Sequence, residues 1–240
     1  MRILLINPNT TPAVTDLVAA HAGALAPPGV RIDAVTGRFG ARYISSRAAA
    51  AVAGHAALDA LAEHGADQDA VCLACFGDPG LLALKEMSPV PVVGMAEASC
   101  QAAAGLADRF AIVTGGVLWG PMLTEFVAAL GLSDRLSGVH TVAPTGGEIA
   151  RDPDGALDML ARACRDAAAA GAGAVVLGGA ALAGLAGRIA DRVPVPVLCS
   201  TGTAVEATIR AAAARSGPVA RRAPPVEAIG LSQALTRALG

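Results

Sequence analysis

Aromatic side chains are almost missing from this sequence: one Trp, one Tyr and four Phe, 2% of 240 residues. A core must therefore be assembled from Ala, Val, Leu and Ile, which the apolar share of 54% supplies in quantity. Net charge is nearly absent too, at −2, and no cluster of Lys and Arg with interleaved aromatics occurs, which argues against a nucleic-acid partner. Strand-like residues follow Met1-Arg2 at once, so no signal peptide is expected. Cysteines stand at 72, 75, 100, 164 and 199, an odd number with no disulfide framework, and reduced thiols in the cytoplasm are the expectation. The longest uncharged run, Ala167 to Gly187, is long enough for a membrane span. Its six glycines and the pair Val175-Val176 make it instead helix end, buried strand and loop, so no membrane partner is expected.

What is present is alternation of strand and helix. Residues 2 to 6 form an apolar run of the kind found in parallel strands covered on both faces, broken by Asn7-Pro8-Asn9-Thr10-Thr11 ahead of a helix from Pro12 to Leu25. Val30 to Thr36 is a second strand, residues 37 to 46 a loop carrying Phe39, and Arg47 to His64 a second helix. Ala70 to Cys75 reads as a central strand whose last residue is a thiol. Asp78 is then placed to cap, and Pro79 to open, a helix through Leu81-Leu82-Ala83-Leu84. Further strands are predicted at 91–95, 109–114, 138–142, 174–178 and 195–199, with glycine turns at 115–116 and 145–147. Helices are expected at 96–107, 119–130 and 153–170, with Glu206 continuing another to Arg215, then a linker over 216–225 and an amphipathic helix in the last fifteen residues through Ile229, Leu231, Leu235 and Leu239.

Three short segments recur in one order, about a hundred residues apart, which points to a duplicated unit. Arg2-Ile3-Leu4-Leu5-Ile6-Asn7 is echoed by Arg109-Phe110-Ala111-Ile112-Val113-Thr114, Ala70-Val71-Cys72-Leu73-Ala74-Cys75 by Ala174-Val175-Val176-Leu177-Gly178-Gly179, and Pro89 to Gly94 by Pro194 to Cys199. In the second copy Gly179 stands where the first has Cys75. The expected architecture is α/β, two parallel-sheet lobes, one of residues 1–97 plus 203–240 and the other 98–202.

The candidate chemistry centres on Cys75, at a strand end where open α/β sheets place their ligands. Cys72 and Cys75 form a C-x-x-C, but the first lies inside a strand, and no second such pair or suitably spaced His accompanies it, so neither a redox pair nor a metal site is expected. His21, His55, His64 and His140 are scattered. The glycine pairs at 115, 146 and 178 offer amides to anions, although none has a G-x-G-x-x-G or P-loop spacing and turns are the commoner reading.

Ile6-Asn7-Pro8-Asn9-Thr10, Ala74-Cys75-Phe76-Gly77-Asp78-Pro79-Gly80, Pro91-Val92-Val93-Gly94 with Glu97-Ala98, and Leu177-Gly178 together resemble the aspartate/glutamate/hydantoin racemase superfamily, nearest its hydantoin and allantoin branch. The resemblance runs from residue 2 to about 210 and implies two Rossmann-like halves related by pseudo-twofold symmetry, a site in the cleft between them, and a cysteine from each half. It implies Cys75 as the catalytic thiolate, no cofactor, and substrate contacts from Asn7, Asn9, Phe39, Phe76, Gly77, Asp78, Thr114, Gly115, Gly178, Gly179 and Ala180. The second cysteine of the family falls on Gly179, so this chain departs from the two-thiol pattern, and Cys199 is the candidate replacement. A lone thiol fits proton transfer to a carbanion at one face. It also fits decarboxylation of the arylmalonate kind, covalent isomerisation or hydrolysis of the maleate kind, and a ligand-binding relic without turnover. The expected function is cofactor-independent α-proton transfer on a small hydantoin, allantoin or amino-acid-like compound, by a cytoplasmic homo-oligomer.

Overall fold

The computed structural model describes residues 1–217 and 224–240. Among the described residues eight strands form: β1 (Arg2–Asn7), β2 (Arg31–Thr36), β3 (Ala70–Leu73), β4 (Val92–Gly94), β5 (Phe110–Gly115), β6 (Leu136–Val142), β7 (Ala174–Gly178) and β8 (Val197–Cys199). The described helices are α1 (Pro12–Leu25), α2 (Arg47–His64), α3 (Leu81–Met87), α4 (Met95–Leu106), α5 (Trp119–Ala129), α6 (Gly146–Arg151), α7 (Pro153–Ala169), α8 (Leu185–Ile189), α9 (Ser200–Ala213) and α10 (Gln233–Leu239).

Two four-stranded sheets result, ordered β2-β1-β3-β4 and β6-β5-β7-β8, with every strand pair parallel. The second order repeats the first, which gives the sequence echoes a topological meaning. Parallel strands bury both faces, and the inner strands show it: Ile3 to Ile6, Ala70 to Leu73, Phe110 to Val113 and Ala174 to Leu177 are all at most 1% exposed. With so few aromatics, these Val, Leu and Ile side chains and the Ala-rich inner faces of α2 and α7 make the two cores.

The chain divides into two compact units, one of Met1–Ala74, Asp78–Gly94 and Val205–Gly240, the other of Cys75–Gly77 and Met95–Ala204. Residues 75–77 thus belong to the second unit although they follow β3 directly. Helix α9 begins in the second unit and ends in the first.

Several local expectations are corrected. Strand β3 stops at Leu73, two residues before the thiol. Asp78 does not cap α3 and Pro79 does not open it: α3 starts at Leu81 behind Gly80, whose φ is +80°. Gly77 at +114° and Asp78 at +47° throw the chain through left-handed backbone, so the helix forms later than apolar spacing suggests. The glycine turn at 145–147 is the start of α6, where Thr145 and Glu148 make a reciprocal capping box. Helix α9 begins at Ser200, directly after β8, and runs through Glu206 to Ala213. Ile229 lies outside α10 and is 93% exposed, whereas Leu235 is buried as α10 packs on α2. Of the linker predicted at 216–225, residues 218–223 lie outside the described residues.

Candidate active site

In the first unit, the β1–α1 turn is built on asparagine. Asn7 is fully buried; its Nδ2 donates to Asn9 Oδ1 at 3.0 Å and Thr15 Oγ1 at 2.9 Å, and its Oδ1 accepts from Asn9 N at 3.3 Å. Asn9 Oδ1 in turn accepts from Thr11 N at 2.9 Å, an Asx turn that starts α1. Asn7 is therefore engaged at both ends of its amide within the protein. Phe39 stacks edge-on against His55, with ring centroids 4.8 Å apart. Beside it, Arg38 forks onto Asp59 with two bonds of 2.8 Å. Burial pushes the Asp59 carboxyl up, but hydrogen bonds from Ser232 and Arg38 and the Arg38 charge outweigh it and hold the group below its ordinary value. Asp78 turns its carboxylate onto the α carbon of Gly94, where no side chain would fit.

The residues of the second unit gather around the corner that follows β3. Cys75 is 8% exposed and Phe76 is buried. The Phe76 ring lies flat against the α carbon of Gly178, and a Cβ there would collide with it. Gly77 meets the Trp119 ring in the same way, its missing Cβ falling 2.6 Å from Trp119 Cζ3. Two glycines therefore receive two aromatic rings and pin the Cys75 segment between the ends of β7 and the start of α5. Gly115, at the end of β5, is closed in by Pro144 O and Gly146 N, 2.8 and 3.0 Å from where its Cβ would stand.

Gly179 follows β7 at φ +139°, backbone that an L side chain rarely adopts. A Cβ here would fall 2.5 Å from Leu182 Cδ1 and 3.9 Å from Thr114 Oγ1. The cause is a tight turn over Ala180–Leu182, closed by Leu182 N donating to Gly179 O at 2.9 Å, which curls the leucine back over the glycine. The Gly179 amide is already used, donating to Ser200 Oγ at 3.2 Å. Next along α9, the buried Thr201 hydroxyl has no hydrogen-bond partner among the described residues.

The remaining thiols are placed differently. Cys72 is buried in β3, and desolvation pushes it up to about 12 despite a Thr208 hydrogen bond, with Asp78 adding to the rise. Burial likewise lifts Cys164 on α7 to about 12. Cys199 is half-buried and packs with Val197 on the apolar cluster of the second unit, while its neighbour Ser200 is the residue bonded to Gly179. Leu182, Ser200, Thr201 and Trp119 were not candidates from sequence. Ser200 alone carried a signal, as the first polar residue after a predicted strand end.

Two parallel sheets of the same strand order, with Cys75 two residues past β3 and the Gly178-Gly179 pair at the end of β7, define a duplicated α/β scaffold. The Asp/Glu/Hydantoin racemase profile matches residues 3–208, and the chain belongs to that family. It is 36% identical over 203 residues to a hydantoin racemase of Paenarthrobacter aurescens, spanning 82% of this chain and 85% of that one. Allantoin racemase from Klebsiella pneumoniae superposes with a TM-score of 0.84 at 33% identity, covering 89% of this chain and 88% of that one. Allantoin racemase from Pseudomonas fluorescens does so at 0.83 and 31%, covering 88% and 90%. The protein is thus a racemase-type isomerase. Among the described residues no helix is long and apolar enough to cross a membrane.

Proposed function

We propose that the chain catalyses cofactor-independent proton transfer at the α carbon of a small cyclic ureide or amino-acid derivative, hydantoins and allantoin first among them, with Cys75 as the only thiol at the reacting carbon. The observation that carries this reading is the Cys75 corner, a nearly buried thiol whose loop is clamped by Phe76 on Gly178 and by Trp119 on Gly77. As thiolate, Cys75 takes the α proton; the C–H electron pair passes to the neighbouring carbonyl as an enolate, and the thiol formed returns the proton. Thr114 and the hydroxyl of Ser200 are the donors nearest Gly179 for the enolate oxygen, since the Gly179 amide is already committed to Ser200. The names of the relatives, hydantoin and allantoin racemases, support this substrate class.

The test is loss of the α-hydrogen signal of a 5-substituted hydantoin and of allantoin in heavy water, followed by NMR. Cys75→Ala is expected to slow exchange by about 10²–10⁴-fold, the usual worth of a positioned proton-transfer group. Exchange that survives the substitution within about tenfold overturns the assignment. A second reading is favoured by the glycine at 179: a carbanion made by loss of carbon dioxide needs only one thiol to protonate it. Release of carbon dioxide from an arylmalonate without exchange of any hydantoin would select that reading.

A further inference from the structure

The loop after β2, residues 37–46, is fastened along two sides, both within the first unit. On one side it lies on the β1–α1 turn: Gly37 N donates to Asn7 O at 2.7 Å, Thr10 N to Ala41 O at 3.2 Å, and Thr11 Oγ1 to Arg42 O at 2.8 Å. That turn stands at the carboxyl edge of the first sheet, beside the end of β3, since Ala74 N donates to Ile6 O at 2.8 Å one residue before the thiol. Open parallel sheets take their ligands at this edge. On the other side α2 holds the loop: Arg38 forks onto Asp59 and Phe39 meets His55, two residues one helical turn apart on a single face. The same carboxylate accepts from the hydroxyl of Ser232, which caps α10 by accepting from Leu235 N at 3.2 Å. Helix α10 packs on α2, and Asp59 is 1% exposed while the Arg38 side chain stays open to water.

We propose that Asp59 is a positioning residue: through it the C-terminal helix α10 holds the 37–46 loop in place at the ligand edge of the first sheet. An ion pair open to water on both sides holds its partners weakly, because water competes for each charge. A pair whose carboxylate is shielded and further hydrogen-bonded holds them firmly. With α10 docked, Asp59 is of the second kind; with α10 lifted it becomes the first, and Arg38 and the neighbouring Phe39 lose their anchor together. The loop then keeps its seat on the β1–α1 turn and loses its hold on α2. Because the loop borders the ligand edge, its loosening weakens substrate binding and leaves the proton-transfer step at Cys75 unaltered. The bearing on the reaction rests on the racemase-type reading above, whereas the bearing on the loop does not.

The experiment compares the full chain with four variants in two ways. Hydrogen–deuterium exchange mass spectrometry follows peptides covering the 37–46 loop and α10, and NMR in heavy water gives KM and kcat for α-proton exchange of a 5-substituted hydantoin. Ser232→Asp keeps a side chain that caps α10 but sets a like charge beside Asp59 in place of a donor. It is expected to speed amide exchange in the loop by about tenfold and to raise KM several-fold, with kcat within about twofold of the wild type. Asp59→Asn, of the same shape without the charge, is expected to loosen the loop at least as much. Arg38→Lys, which keeps the charge and loses the fork, is expected to loosen the loop while α10 stays protected. Ser232→Thr retains both hydroxyl and cap and is expected to match the wild type. Loop exchange unchanged in both Ser232→Asp and Asp59→Asn overturns the proposal, and so does a loosened loop with KM unmoved or with a loss confined to kcat. A wild type that exchanges no α proton from any hydantoin overturns the Cys75 reading instead, and the peptide data then still decide whether α10 holds the loop.

Discussion

The corner after β3 and the corner after β7 occupy the same place in two sheets of the same strand order, yet they are built in opposite ways. After β3 the chain stays irregular for seven residues before α3 begins, and it carries a thiol held by neighbouring rings. After β7 it folds at once into a tight turn, carries no side chain at the matching position, and lays a leucine over the gap. The difference teaches that a duplicated scaffold fixes where a functional group can stand, while the turn that follows decides whether anything but glycine can stand there. At 179 the positive φ and the leucine act together, so a thiol is not accommodated there by exchanging one residue.

The comparison breaks most sharply at the thiol itself. Cys75→Ala should reduce α-proton exchange by orders of magnitude, and the corner should keep its place, because Phe76 on Gly178 and Trp119 on Gly77 hold it. Next in size is Gly179→Cys. Placing a side chain at φ +139° costs about 1–3 kcal/mol in backbone strain, and overlap with Leu182 adds about 1–3 kcal/mol more. Its urea midpoint should therefore fall well below the wild type, and Leu182→Ala in the same chain should recover the overlap part only. Gly178→Ala is expected to push the Phe76 ring off its seat and lower kcat for exchange more than it raises KM, since the segment displaced carries Cys75. The smallest effect is expected at Thr201→Val. Its buried hydroxyl has no partner among the described residues, so removing it should leave stability within about 1 kcal/mol or raise it slightly by thermal melting.

A pH series sharpens the contrast between the reactive corner and the other cysteines. Unfolded thiols ionise near 9.0, whereas folded Cys72 and Cys164 keep their protons up to about 12. Between those values the unfolded chain binds fewer protons than the folded one, so stability holds below about pH 9 and falls as pH rises through that window. Urea midpoints that stay flat to pH 11 would contradict this. In the native protein at pH 8, a thiol reagent should likewise leave these two residues unmodified.

Much of the fold was legible in sequence because apolar runs and helix caps are local. The helices Pro12–Leu25 and Arg47–His64 and the strand Ala174–Gly178 stand where Pro, Ser and the Val-rich run place them. The end of β3 was not legible: Ala74 and Cys75 continue the apolar run, and only the left-handed turns at Gly77 and Asp78 stop the strand from feeding a helix directly. The start of α6 had a visible signal, Thr145 with Glu148, which the Gly146-Gly147 pair obscured. The start of α9 at Ser200 was not placed by sequence, because Ser200-Thr201-Gly202-Thr203 has weak helix propensity and propensity does not report the packing that makes it a first turn. At the site, Cys75 and the glycine at 179 could be read directly. Leu182, Ser200 and Trp119 could not, because their parts arise only when β7, β8 and α5 fold around the thiol.

The path of the chain between the two units has a further meaning. The stretch 1–94 holds all four strands of the first sheet, yet the Thr208 hydroxyl that bonds Cys72 and the Ser232 hydroxyl that bonds Asp59 both come from the far end of the polypeptide. A half-gene ending at 94 would encode a sheet deprived of the C-terminal helices that bond to it, and a half-gene starting at 95 would lack the Cys75–Gly77 segment that belongs to the second unit. Neither half is a portable cassette.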